Sequence, residues 1–287
     1  MSYYQKKPAI RYGWLRALIF LIVWGFLAVV VSYLGSKMFD VIGLSLNEQD
    51  ITYSILGYGV TLLLTLVLLF LFMRFVDRQP FLDLGLRLTE RKTDLFLGFF
   101  WAGFLLTIGA LYLGRTGHIE FFPGEVEMRY LFLSLVFFLM VSFFEEIVFR
   151  GYILKNLMQS MNKYVALLIS SLLFAVVHLS NPSIDIIGFL NLFIAGIFLG
   201  VAYTFTKNIW FAIGLHWGWN FVQGPILGFE VSGHETGSLW AQEMLKDNLI
   251  SGGDFGFEGS ILATILLVAA CIVFFLFFNR KYGNKGV

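Results

Sequence analysis

The sequence predicts an all-α protein, a polytopic bundle of about eight transmembrane helices with both termini in the cytoplasm. Three observations carry this. Of the 287 residues, 58% are hydrophobic and only 14% charged, against roughly one quarter charged in a soluble domain. The apolar residues gather in runs long enough to cross a hydrocarbon layer of about 30 Å. Lysine and arginine collect in alternate segments between those runs, as the positive-inside rule requires.

Requiring roughly 17 to 25 mostly apolar residues between charged or Gly/Pro-containing segments places the spans at about 14–35, 53–76, 94–114, 129–157, 162–180, 185–206, 209–226 and 259–279. The first has no small-residue cleavage site and reads as a retained span. All are expected to be helices, because backbone groups in lipid must be satisfied within their own segment and no short alternating strands of a barrel are seen. With the N-terminus inside, the cytoplasmic segments hold Lys6, Lys7, Arg11, Arg16, Arg74, Arg78, Arg87, Arg91, Lys92, Lys155, Lys163, Lys207, Arg280, Lys281 and Lys285. The opposite side holds only Lys37, Arg115, Arg129 and Lys246.

The chain then divides into an N-terminal region of three spans (1–128), a four-span core (129–226), and an external acidic loop with the final span (227–287). That loop carries Glu230, Glu235, Glu243, Asp247, Asp254 and Glu258, and reads as a lid or as a solvated connection. A net charge of +1 with no Lys/Arg block excludes a nucleic-acid partner. The single cysteine, Cys271, excludes a disulfide framework and a cysteine-based zinc cluster.

Nearly every charge sorts into a loop or a span end, except in "VSFFEEIVFRGYI", which places Glu145, Glu146 and Arg150 inside the fourth span. Each mid-membrane charge costs about 2.5 to 3.5 kcal/mol on insertion scales unless paired or facing a cavity. Glu146 and Arg150 are four residues apart on one helix face and make a self-compensating, purely structural pair. Glu145 has no such partner in its own helix.

Depth identifies its neighbours. The turn after the fourth span centres near Ser160, and Glu145 and His178 of "FAVVHLSN" stand at similar distances before and after it, within roughly 5 Å in depth at about 1.5 Å per residue. In "GLHWGWNF", His216 and Asn220 share one face of the seventh span, about 12 to 18 Å into the membrane. Each has a bland reading as well. A lone membrane histidine bonds a neighbouring carbonyl, and a His/Asn pair is interhelical glue worth about 0.6 to 2 kcal/mol. The other histidines, His118 and His234, fall in external loops.

A Glu/His pair is a competent general base for water, and Asn with a second His can donate hydrogen bonds to a developing oxyanion. The set fits amide hydrolysis by activated water. No Gly-x-Ser-x-Gly elbow is present and Cys271 has no activating cluster, so a covalent nucleophile is not favoured. Two His and a carboxylate, here Glu145, His178 and His216, are also the ligand types of catalytic zinc, so the cofactor is either none or a divalent metal. The His-Glu-x-x-His helix is absent; "HETGS" at His234 lacks its second histidine.

"EEIVFR", "FAVVH" and "HWGWN", in that order and each on its own span, resemble the three motifs of the CPBP family, the type II CAAX prenyl endopeptidases and their bacterial relatives. The similar core runs over 129–222, and "FLDLGLR" before the third span also looks like family members. The resemblance implies an intramembrane endopeptidase that cuts a membrane-associated peptide or protein, in which Glu145 and His178 activate water and His216 and Asn220 stabilise the oxyanion. Glu146 and Arg150 would support the site. It implies equally that some members act without proteolysis, in bacteriocin immunity or interaction, and it leaves a metal-dependent and a glutamate-type mechanism both open. "GIFLG", Gly196 to Gly200, is a small-xxx-small pattern expected to pack the sixth span against a neighbour in the same bundle.

Overall fold

The computed structural model describes residues 7–42, 51–246 and 249–283; Lys6, Asp247, Lys285 and the side chain of Lys37 lie outside them. The helices among these residues are α1 (Gly13–Ile42), α2 (Ile51–Leu71), α3 (Asp94–Arg115), α4 (Met128–Glu146), α5 (Lys163–Val177), α6 (Ile186–Thr206), α7 (Trp210–Phe221) and α8 (Ile261–Tyr282). Three of them run on as π-helix, α2 over Phe72–Asp77, α4 over Ile147–Leu154 and α7 over Val222–Ile226. α4 then closes with a turn at Lys155–Leu157.

Six helices, all but α5 and α7, are long and apolar enough to cross a membrane. Where the sequence suggests spans over 162–180 and 209–226, α5 has 15 residues, and α7 has 12 and continues through five residues of π-helix to Ile226. α5 stops at His178, which leaves helical geometry just before Asn181-Pro182. α7 loosens at Gly224 and Pro225, where the imino acid supplies no N–H. Most of α7 is buried, so the backbone groups freed at its end face protein.

Contacts between helix ends fix an alternating up-and-down order. Arg16, early in α1, bonds Asp77 at the end of the α2 segment (2.5 Å) and Gln159 after α4 (2.6 Å). Lys155 reaches Gln79 at 2.6 Å. Asn208, before α7, donates to the Arg87 carbonyl, before α3, at 2.6 Å, and Arg91 lies over the Tyr282 ring at the end of α8. All of these belong to the Lys/Arg-rich end.

At the other end, β1 (Ile119–Pro123) pairs antiparallel with β2 (Trp240–Met244), Ile119 opposite Met244 and Pro123 opposite Trp240. The sequence does not announce these strands, because "WAQEM" lacks the apolar/polar alternation of a half-buried strand. They form where the segment after α7 is anchored. Glu258 accepts from Trp219 Nε1 of α7 at 3.0 Å and from the Ser232 amide and hydroxyl at 2.9 and 2.7 Å, while its carbonyl accepts from Asn191 Nδ2 of α6 at 2.7 Å.

Two glycine contacts set the spacing around the site. A methyl group added at Gly214 or Gly218 of α7 would come within 2.0 Å of the Leu95 carbonyl and 2.3 Å of the Phe99 carbonyl of α3. α3 therefore occupies the glycine face of α7, and His216 and Asn220 face the other way, two residues round the helix. On α6, a methyl at Gly196 would meet Ser171 of α5 at 2.7 Å and one at Gly200 would meet Leu167 at 2.5 Å. "GIFLG" thus packs α6 on α5 within the bundle.

Candidate active site

Glu145 lies on the last turn of α4 before its π-helical segment, a local irregularity that often marks functional sites. His178 caps the C-terminus of α5. Its Nδ1 is 2.7 Å from the Phe174 carbonyl; a carbonyl only accepts, so Nδ1 carries the proton of that bond and Nε2 is the nitrogen turned to Glu145. The separation from Nε2 to Glu145 Oε2 is 3.6 Å. The depth argument for this pair therefore corresponds to a real approach of two side chains on sequence-adjacent helices.

His216 meets both glutamates. Its Nδ1 is 3.0 Å from Glu146 Oε1 and its Nε2 is 3.9 Å from Glu145 Oε2. Glu146 Oε1 also accepts from Arg150 Nη1 at 2.7 Å, and Arg150 Nη2 donates to the Gly196 carbonyl at 3.0 Å. The Arg150 guanidinium lies 4.6 Å from the centre of the Phe174 ring, which itself stands 4.5 Å from the His178 ring. Glu146 and Arg150 are thus more than the closed pair the sequence suggests: their charges hold one imidazole directly and brace the other through Phe174. The i,i+4 spacing shows only the intrahelical half of this arrangement.

Glu145, His178, His216 and Asn220 line a cavity of about 660 Å³. Asn220 is a buried residue at the cavity wall, and Glu145 Oε2 is buried without a hydrogen-bond partner. The cavity wall also includes Tyr58, on which the sequence gives no hint, and residues of the acidic segment that the sequence places in an external loop. Tyr58 of α2 stands edge-on to Phe137 and Phe144 of α4, and His234, Glu235 and Glu258 come from the segment after α7. That segment is a structured wall of the cavity. For Tyr58, one of several Tyr, Ser and Thr residues in its span, the sequence carries no signal; Glu258 is disguised as the end of an acidic loop.

Residues 127–222 match the Rce1-like family model of type II CAAX prenyl endopeptidases. No curated protein and no solved structure matches the chain. The Rce1-like segment contains Glu145, Glu146, Arg150, His178, His216 and Asn220. With six apolar helices of spanning length, the chain is a multi-pass integral membrane protein, and its Rce1-like segment supports a peptidase.

The donor chemistry of the site also bears on a metal. Both imidazoles have Nδ1 engaged and Nε2 turned inward, as metal-ligating histidines commonly do. Yet among the described residues no group of three or more His, Cys, Asp or Glu side chains is arranged to hold a metal ion.

Proposed function

We propose that the protein is an intramembrane endopeptidase, hydrolysing a peptide bond of a membrane-associated peptide or protein with water activated by Glu145 and His178. The observation that carries the reading is the convergence of three helices on one buried oxygen, Glu145 Oε2, which faces His178 Nε2 at 3.6 Å and His216 Nε2 at 3.9 Å. Separations of that size are bridged by water more readily than by a direct hydrogen bond.

A water held there loses a proton to the Glu145/His178 pair as its oxygen bonds to the scissile carbonyl carbon. The carbonyl π electrons move to its oxygen. Asn220 Nδ2–H and His216 Nε2–H donate to that oxyanion. When the C–N bond breaks, its electron pair stays on nitrogen, and the proton held by the pair passes to the leaving amine. Phe174 keeps His178 Nε2 free for this work by occupying Nδ1.

A cleavage assay on a membrane peptide tests the reading. Glu145→Gln and His178→Ala should each lower turnover by roughly 10²- to 10⁴-fold, in protein that still elutes as a folded species. Full turnover in either variant removes the pair from the mechanism. A non-enzymatic immunity or interaction role instead predicts protection that survives Glu145→Gln.

A further inference from the structure

The end of the bundle from which the cavity is reached follows from its walls. No element contributes residues from its Lys/Arg-rich end. From α2 come Ile51, Ser54 and Tyr58, at its start; from α4, residues from Tyr130 to Phe149; from α6, Leu192 to Leu199, around its middle. α5 contributes its last turns through His178 and on to Asn181, α7 its second half from His216, and the segment after α7 contributes Val231 to Thr236.

On the other side of Glu145 the way is closed. All eight residues of the π-helical stretch Ile147–Leu154 are buried. Below them the side chains of Arg16 and Asp77 are paired, both almost without exposure, and Tyr152 donates to Asp77 at 2.7 Å. Ile209, Ile213 and Leu215 seal the matching depth of α7. A peptide cannot reach the glutamate from that side without dismantling the core.

The closed end is also the positively charged one. Among the described residues thirteen Lys and Arg lie at that end, against four, Lys37, Arg115, Arg129 and Lys246, at the other. Such an excess in short connecting segments marks the cytoplasmic side. We propose that the active-site cavity opens to the non-cytoplasmic face, and that its substrate is a peptide segment presented on that face, either an exported peptide or the outer juxtamembrane segment of a membrane protein. The word substrate rests on the endopeptidase reading; the sidedness of the cavity does not.

Two measurements separate these. In a Cys271→Ala background, Glu235→Cys at the cavity mouth and Arg87→Cys at the basic end are exposed to a membrane-impermeant maleimide in intact cells carrying the protein in the plasma membrane. Glu235→Cys should be labelled at once and Arg87→Cys only after permeabilisation; the reverse pattern overturns the proposal whether or not any peptide is cut. The second uses single-span reporters with the same cleavable segment on either side of the membrane. Cleavage confined to the outer segment, abolished by Glu145→Gln, is expected. Glu145-dependent cleavage of the inner segment alone sinks the sidedness while leaving the protease reading intact. Cleavage that persists in Glu145→Gln sinks the protease reading while leaving the labelling result standing.

Discussion

Two buried ionic clusters lie at different levels of the same bundle, and they are built on opposite plans. At the basic end, Asp77 receives Arg16 at 2.5 Å on one oxygen and Tyr152 at 2.7 Å on the other, and Arg16 spends its second amino group on Gln159. In the cavity, Glu145 Oε2 is buried with no hydrogen bond, and two imidazole nitrogens stand just beyond bonding reach. The carboxylate whose two oxygens are both occupied holds helices together. The one beside the cavity has an oxygen with no hydrogen bond, and on the endopeptidase reading proposed above it is the group that takes a proton from water. On that reading, incomplete pairing beside open volume, rather than burial of charge alone, marks the reactive group.

The sharpest way to break the contrast is to neutralise one carboxylate in each cluster. Glu145→Gln should lower turnover by roughly 10²- to 10⁴-fold with little change in thermal unfolding in detergent. Asp77→Ala should do the converse, costing about 3 to 5 kcal/mol of stability because it strands the buried Arg16, while the protein that remains folded cleaves at a normal rate. If Asp77→Ala lost turnover without losing stability, the division between the clusters would be wrong.

Glu146 belongs to both plans, since it neutralises Arg150 and bonds His216. Glu146→Gln should remove about 1.5 to 3 kcal/mol of charge-assisted hydrogen bonding, read as a roughly 10- to 100-fold loss in kcat with KM little changed, together with a lower unfolding temperature. A change in stability alone would return Glu146 to a structural role. A smaller effect is expected on α7 from the opposite face. Gly218→Ala pushes against the Phe99 carbonyl and should cost about 1 to 3 kcal/mol, with Asn220 displaced and turnover reduced secondarily.

The smallest effect concerns the wall after α7. Burial, with Glu235 and Asp254 adding repulsion, holds the Glu230 carboxyl above its ordinary value. An acid whose folded pKa is raised favours the folded state while protonated and loses that contribution as pH rises from its unfolded value through its folded one. Glu230→Gln should therefore raise stability slightly at neutral pH and leave it unchanged at pH 4, as read by thermal scans at the two pH values. The gain is modest because the group is only half-buried and solvent screens it.

Much of the site was legible because membrane burial makes polar residues conspicuous. Glu145, His178, His216 and Asn220 stand out from hydrocarbon runs, and helical rise alone brings Glu145 and His178 to one depth, where they are found 3.6 Å apart. The buried Arg16–Asp77 pair was not legible: both residues fall where a span meets a loop, and only the packing of α1 against the end of α2 makes that junction an interior. The Glu146–His216 contact was hidden for a related reason. It depends on the rotation of α7 about its axis, which Gly214 and Gly218 set by drawing α3 onto one face.

Hydropathy, charge asymmetry and motif spacing by themselves determined an all-helical membrane protein, the eight helical segments and the identity of the polar residues, because each is a property of a single segment in lipid. Only the tertiary structure decided that α5 stops short and that α7 finishes as π-helix, that Glu258 straps an acidic segment over the site, and which carboxylates are committed. Those outcomes depend on how far apart and at what rotation two helices pack, and that is fixed by side-chain contacts between segments distant in the chain.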